Sequence, residues 1–522
     1  MGGVTTSTFR SRIRANLAAN VVGALWAALI QVAVIPFYIR LMGIEAYGLI
    51  GFFVVLQSAL QLLELGLGPT ANRELARYSA QAAKATEARD FLRTFEVPFW
   101  AAGGLAAATI VGLAPLISAH WLRASTLSPQ VVVTAVQLMG LMAALQLPLS
   151  LYQGGLLGIQ RHVGLNAVRA GASTFAAAVT LAALRLISPD PTVFFTAQSA
   201  CLLLQVLLLR GLLWSGLAPG HRRPALAFSL LRRVSGFAAG MAGISITGIC
   251  LMQMDKALLS RLLPLEQFGY YALAGSAASA LYLAITPLFN TFFPRFSVLA
   301  ASGSHDELSR LYHAASQLMA VLVLPAAAVL ATWSGAALFA WTGDAGAVKG
   351  ASPVLPLLVA GTALNGLMNI PYALQLSAGW TRLGVILNLV FLALALPAIW
   401  LLATRFGAPG GAAVWAGVNA LYVVLGVPLT HRRLLPGEAA RWFLRDVGPP
   451  LGATVGTCAL LALVLPTPSS RVSAVVVLGG SLAVVLASAA LSGAQSRAWF
   501  REQWALARLH GPQSARGTTP CP

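Results

Sequence analysis

Nearly every charged residue of this chain falls in a short break between apolar stretches of about 20 residues, the length that spans a bilayer as a helix. Only 9% of the residues are charged and 58% are hydrophobic, whereas an ordinary globular domain is roughly one-quarter charged. The pattern is that of an all-α polytopic membrane protein, with no stretch left over for a soluble domain. The apolar runs give about fourteen transmembrane helices, near 17–39, 46–69, 97–118, 131–157, 165–187, 192–216, 236–262, 268–293, 313–341, 353–377, 384–404, 411–430, 447–466 and 472–491. The first follows Arg10, Arg12 and Arg14 as a signal core does. It is longer than the roughly 7–15 residues of such a core and lacks a small-residue cleavage site, so it reads as a retained span. Four scattered cysteines show no metal or disulfide spacing, and no cofactor is expected.

Sidedness follows from the basic residues. With an even number of spans both ends share one side, and 26 Lys and Arg lie on it. The other side holds seven, one per loop: Arg40, Arg123, Arg185, Arg261, Lys349, Arg405 and Arg471. The positive-inside rule then puts both termini in the cytoplasm. Cytoplasmic Lys and Arg against anionic lipid headgroups account for the net charge of +19 without nucleic acid.

Within this layout the chain repeats itself. Arg40-Leu-Met-Gly-Ile-Glu45-Ala-Tyr47-Gly48 returns 221 residues later as Arg261-Leu-Leu-Pro-Leu-Glu266-Gln-Phe268-Gly269. Gly158-Ile-Gln-Arg161 returns at the same offset as Gly379-Trp-Thr-Arg382. The first pair joins spans 1–2 and 7–8 on the outer side; the second joins spans 4–5 and 10–11 on the inner side. An offset of six spans preserves sidedness, so the halves are parallel repeats. The domains expected are a six-helix lobe at 1–216, a basic linker at 217–235, a second six-helix lobe at 236–430, a basic loop with two extra helices at 431–492, and a basic tail at 493–522. The connection from Ala71 to Glu96 reads as an interfacial amphipathic helix.

The stretches Pro36 to Gly48, Leu63-Glu-Leu-Gly66-Leu-Gly68, and Met254-Asp255-Lys256 through Tyr271-Ala-Leu-Ala resemble signatures of the polysaccharide-export flippases. These belong to the multidrug/oligosaccharidyl-lipid/polysaccharide exporter superfamily. The resemblance implies two six-helix repeats around a central cavity, and an activity that turns an undecaprenyl-pyrophosphate oligosaccharide across the bacterial inner membrane. It also implies H+ or Na+ as a coupling ion and polysaccharide polymerase machinery as a neighbour.

Such a substrate needs cationic and hydrogen-bonding side chains at membrane depth, where they are costly. Gln57, Gln61 and Glu64 fall at i, i+4 and i+7 of span 2, with Gly68 and Asn72 on the same face. Gln57 and Gln61 are substrate-binding candidates and Glu64 an ion-coupling one; interhelical hydrogen bonding is the plainer alternative for the amides. Arg73 and Arg169 are candidate pyrophosphate contacts, against anchoring or snorkelling to the cytoplasm. Asp255 in span 7 is a second ion-coupling candidate, beside Lys256, from which it should point away. Asn365 and Asn369, with Tyr372, line one face of span 10. Arg40, Glu45, Arg261 and Glu266 read as hairpin residues, and Gly154/Gly158 and Gly236/Gly240 as helix-packing pairs. The cluster His305, Asp306, Glu307, Arg310 and His313 reads as a solvated cytoplasmic turn.

Two rival readings fit the same sequence. A multidrug or organic-cation antiporter on the same fold would want acids lining its cavity, and only Glu64 and Asp255 are placed inside spans. A membrane enzyme would want convergent carboxylates or a metal, and the outer loops hold isolated acids. With no Walker-type phosphate loop the chain is not expected to hydrolyse ATP, and with no convergent carboxylates it is not read as an enzyme.

Overall fold

A computed structural model of the protein describes residues 23, 26–64, 67–79, 81, 84–227 and 229–493; the side chains at 63, 64, 67 and 229–245 lie outside the described set. Among the described residues every regular element is helical, and the one β contact is an isolated bridge between Arg123 and Pro264. The order is α1 (Trp26–Met42), then α2 (Ile44–Glu64), α3 (Leu67–Ser79), α4 (Ala85–His120), α5 (Pro129–Gly158), α6 (His162–Leu186), α7 (Pro191–Gly216) and α8 (Ser229–Leu262). There follow α9 (Leu265–Ser279), α10 (Tyr282–Ala301), α11 (His305–Thr332), α12 (Ser334–Thr342), α13 (Ala345–Ala351), α14 (Leu355–Ser377), α15 (Arg382–Phe406) and α16 (Ala408–Leu434). Two more spans, Ala439–Val464 and Arg471–Ser492, close the described chain.

Among the described residues eleven helices are long and apolar enough to cross a membrane, or twelve if α9 and α10, bent by 44°, form one broken span. The shorter α1 and the helix α8 stand where the first and seventh spans were expected. The protein is a multi-pass membrane protein.

Boundaries follow local chemistry. Ser128 caps α5 by accepting from Val131 N, with Pro129 at the first position. Asp190 and Pro191 do the same for α7. At these positions the capping oxygen satisfies an orphan N–H and the proline has no N–H to lose. Ser470 and Ser473 form a reciprocal capping box for Arg471–Ser492.

Contacts gather the chain into two compact units. The first comprises Met1–Ser276, Trp341–Ala351 and Asn388–Val414; the second comprises Ala277–Ala340, Ser352–Leu387 and Trp415–Pro522.

In the first unit α5 is the central helix. Gly154 and Gly158 face backbone, because a Cβ at either would sit 2.4 Å from the Gly68 carbonyl oxygen or 2.5 Å from that of Asn72. The pair thus lets α3 lie directly on α5. The connection expected as one interfacial helix over 71–96 is instead two helices, the second of which runs on through the third span. The reason is that its aromatic face has a core to join: Leu75, Phe91, Phe95, Tyr152, Leu156 and Leu209 are fully buried together. Inside that core Glu96 accepts from the Tyr152 hydroxyl at 2.9 Å, Trp214 Nε1 at 2.9 Å and Arg210 Nε at 2.8 Å. A carboxylate so enclosed is tolerable only with such partners.

The duplicated phrase is also in the first unit, and its two copies pack on each other. A Cβ at Gly48 would lie 2.5 Å from the Leu265 carbonyl oxygen, and one at Gly269 would lie 2.3 Å from that of Ile44. Those four residues are related by the same offset of 221. The same backbone bond opens each copy, Tyr47 N to Gly43 O at 3.2 Å and Phe268 N to Pro264 O at 3.0 Å. Outward of this crossing, Glu45 accepts from the backbone and side chains of Ser125 and Thr126. Leu265 N donates to the Arg123 carbonyl at 2.9 Å, and Arg261 lies over the Trp121 ring. One short loop therefore pins both repeat hairpins.

In the second unit, α11 packs against α14 and the last two spans. Val329, Trp333, Cys458 and Val485 form a small core there.

Replacing Gly48 or Gly269 by Ala should lower the melting temperature in detergent, each by an amount corresponding to about 1–3 kcal/mol of overpacking. Gly104→Ala, where a Cβ meets nothing within 4 Å, should hold or raise it, since Ala is the better helix former.

Candidate functional site

Six helices of the first unit, α1, α2, α3, α5, α6 and α7, enclose a cavity of about 730 Å³. Its polar lining is built of repeated stripes. Gln57 and Gln61 project from α2 at i and i+4; Gln146 and Gln153 from α5, and Gln198 and Gln205 from α7, at i and i+7. Both spacings return a side chain to one helical face. Arg169 and Ser173 form the matching stripe on α6, while Gln31 comes from α1 and Asn72 from α3. The outward face of the same helices is apolar: Leu203, Leu204, Leu207 and Leu208 of α7 are exposed on the surface.

Arg169 is the one charged group among the described lining residues. Its guanidinium has no hydrogen-bond or ion-pair partner among the described residues, and no acid joins it in the lining. The seven glutamines present amides that both donate and accept, so the wall can bind hydroxyls and amides without fixing a charge. A planar guanidinium binds phosphate or carboxylate oxygens two at a time. The arrangement suits a ligand with an anionic head and many hydrogen-bonding groups. A desolvated organic cation would meet a like charge and no acid among the described lining residues.

Three of the residues singled out in the sequence, Gln57, Gln61 and Arg169, thus share one cavity. Arg73 lies on α3 one residue past the lining residue Asn72, with its side chain exposed. Glu64 closes α2, and its side chain is outside the described set. Asp255 is buried on α8 of the same unit, away from this lining, and accepts from the Tyr271 hydroxyl of α9 at 2.5 Å. Lys256 approaches it to 3.8 Å rather than pointing away, and donates to the Met252 carbonyl at 3.3 Å.

Asn365 and Asn369 are in the second unit. Asn365 accepts from the Tyr282 hydroxyl and donates to the Asn419 side chain, each at 3.0 Å, and Asn369 donates to the Asn365 backbone at 2.8 Å. This ties α10, α14 and α16 into one polar seam. Sequence reasoning missed Gln31, Gln146, Gln153, Gln198 and Gln205. The signal was present in the seven-residue spacing of two of these pairs inside apolar runs.

Residues 13–300 match the family model described as polysaccharide biosynthesis protein. No curated protein matches the chain in sequence. Among solved structures, one similar fold is the lipid II flippase MurJ in an inward closed conformation, with 11% identity, 94% of this chain and 99% of that chain covered, and a TM-score of 0.66. Another is an inward-facing multidrug resistance MATE family transporter of the MOP superfamily, with 12% identity, 78% and 94% covered, and a TM-score of 0.66. A third is a MOP superfamily transporter from Pyrococcus furiosus, described by the reverse polarity of its binding pocket, with 13% identity, 81% and 95% covered, and a TM-score of 0.56. At these identities the likeness concerns the fold.

If the cavity is wet, single cysteines replacing Gln153 or Gln205 should react with a hydrophilic maleimide, in a background whose native cysteines are changed to Ser or Ala. Leu204→Cys, on the apolar outer face, should stay unlabelled in lipid. Equal labelling at all three positions would show that the stripe does not face water.

Proposed function

The chain belongs to the polysaccharide biosynthesis protein family, and from that premise we propose that it flips a lipid-linked oligosaccharide from the cytoplasmic to the outer leaflet of the bacterial inner membrane. The substrate class is an undecaprenyl-pyrophosphate oligosaccharide, and the chemistry of flipping requires no covalent step. The observation that carries this reading is the unpaired Arg169 in an amide-lined cavity with no acid among its described lining residues. A guanidinium facing the cavity without an acid among the described lining residues lacks a counter-charge, and an arriving pyrophosphate supplies it. The glutamine stripes then take over sugar hydroxyl and amide groups from water, while the polyprenyl tail stays in lipid.

Transport proceeds by alternating access, with the six-helix lobes at 1–216 and 236–430 rocking as parallel repeats do. Arg73, near the cytoplasmic mouth in the predicted topology, receives the headgroup first. Asn365 and Asn369 supply polar groups in the second lobe. Glu64, followed by Asp255, is the group that takes a coupling proton or Na+. The termini and the basic loops lie in the cytoplasm, where polymerase machinery of the same pathway meets the protein. The competing antiporter of organic cations draws support from the shared fold, but the lone cation in the cavity opposes it.

The test is flipping of a fluorescent undecaprenyl-pyrophosphate oligosaccharide in proteoliposomes, with and without an ion gradient. Wild type should move it. Arg169→Ala should lose roughly ten- to a hundredfold, the worth of a hydrogen bond to a charged group, and Arg169→Lys should recover part of the loss. Glu64→Gln should remove the response to the gradient. Export of an organic cation with no lipid movement under any gradient would sink the proposal.

A further inference from the structure

His313 is fully buried in α11 of the second unit, not exposed in a cytoplasmic turn as its neighbours suggested. His305, Asp306, Glu307 and Arg310 are indeed exposed on the first turns of that helix. His313 lies deeper, and each of its ring nitrogens faces a carboxylate. Nδ1 is hydrogen-bonded to Asp446, which is itself buried. Nε2 lies 3.3 Å from Oε2 of Glu438, within ion-pair reach though not aligned as a hydrogen bond. Both acids come from one short segment: the Pro436-Gly437 turn, with Gly437 at φ +85°, presents Glu438, and a single π turn, Trp442–Val447, presents Asp446. The widened turn also leaves the Arg445 carbonyl to accept from Gln317 Nε2 at 3.1 Å. π turns inside α-helices recur at functional sites.

A neutral imidazole donates from one nitrogen only. With Nδ1 donating to Asp446, the lone pair on the buried Nε2 would face the oxygen of the half-buried Glu438 across 3.3 Å, and the two would repel. One proton on Nε2, or on Glu438, removes the conflict. It also balances the cluster: imidazolium and Arg441, which lies 3.5 Å from Glu438, offset the two carboxylates.

The other elements packed here do not supply that proton. His431 of α16 is buried and spends its Nδ1 on the Val427 carbonyl at 2.8 Å. Tyr312 stands edge-on to both histidine rings, 5.3 Å from each, and α10 contributes Phe296 against Tyr312. Arg471, the one charged residue of the last helix, bonds the Ala340 carbonyl instead. The donors straddle a ring and do not converge on a point, so the geometry is not that of a metal site.

We propose that His313, Asp446 and Glu438 form a proton-binding site whose proton clamps the segment 438–447, and with it the appended C-terminal helix pair, onto α11. The sign is fixed by linkage. The clamped state binds the proton more tightly than the released state, so clamping is complete at low pH and is lost as pH rises through the site's midpoint. This site is separate from the glutamine-lined cavity and from Glu64, and its behaviour does not depend on what the protein carries.

Hydrogen–deuterium exchange of the full-length protein in nanodiscs tests this without any substrate. Protection of amides in 438–447, normalised to the intrinsic exchange rate, should fall at least about tenfold between about pH 5 and about pH 9, because each unit of difference in proton affinity is a tenfold shift in the equilibrium. Glu438→Gln places an amide donor against neutral Nε2 and should keep the segment protected across that range. Protection of α14 peptides should be unchanged in the variant, which shows that it folds. Wild-type protection that is flat with pH would overturn the proposal. So would a Glu438→Gln variant that keeps the wild-type pH dependence.

Discussion

A bilayer offers backbone groups no water, so every N–H and C=O must find its partner inside the chain. Helices and closed barrels meet that constraint, and among the described residues this chain uses helices. The constraint also decides how helices meet. Lipid is as apolar as leucine, so burying leucine between helices gains little, and close approach of backbones must hold the bundle together. Gly48, Gly51, Gly154, Gly158 and Gly269 meet that need. At four of them a Cβ would fall within 2.3–2.5 Å of a carbonyl oxygen, and at Gly51 it would fall 2.7 Å from the Ala272 Cβ.

The same constraint sorts polar side chains into two kinds. Some are spent on the fold: Glu96 on Tyr152, Trp214 and Arg210; Glu45 on the loop at 125–126; Asp255 on Tyr271; Asn365 on Tyr282 and Asn419. Around Glu96 and Glu45 donors surround both oxygens and little capacity is left for a ligand, whereas Asp255 keeps Oδ1 without a hydrogen bond. Others face a cavity, chiefly the glutamine stripes and Arg169. Membrane depth makes both kinds expensive, so neither is decoration, but it is chiefly the second that keeps free valences. A residue's type does not distinguish them; its neighbours do.

That distinction marks what was legible in the sequence. The all-helical membrane class, the span positions and the repeat were readable, because apolar length and a fixed offset are properties of one dimension. The contact between the two copies of the repeat was half-visible: matching glycines announced close approach without naming Leu265 and Ile44 as what they approach. Gln57, Gln61 and Arg169 were found on their own helices, while Gln146, Gln153, Gln198 and Gln205 passed as isolated polar residues in apolar runs. Their common cavity exists only once α2, α5, α6 and α7 are brought side by side. The His313–Asp446 pair, separated by 133 residues, has no local pattern, and the exposed charges just before His313 pointed the other way. The amphipathic stretch at 71–96 was legible as amphipathic, but not as to whether lipid or protein covers its apolar face.

A single guanidinium among many amides is itself informative about turnover. A carrier must hold its cargo tightly enough to desolvate it and loosely enough to release it on the far side. A cluster of several arginines around a pyrophosphate would deepen the bound state, and a ligand that binds all states equally well shifts none of them. In the proposed role, binding shared over the seven neutral amides and the one charge among the described lining residues stays modest and spreads over five helices. When those helices move relative to one another, the amide contacts are lost a few at a time and water replaces each at little cost. The charge alone would then anchor the headgroup until solvent reaches it. For the cargo proposed, a cavity whose described lining holds many amides and one arginine is therefore better suited to passing it along than to storing it.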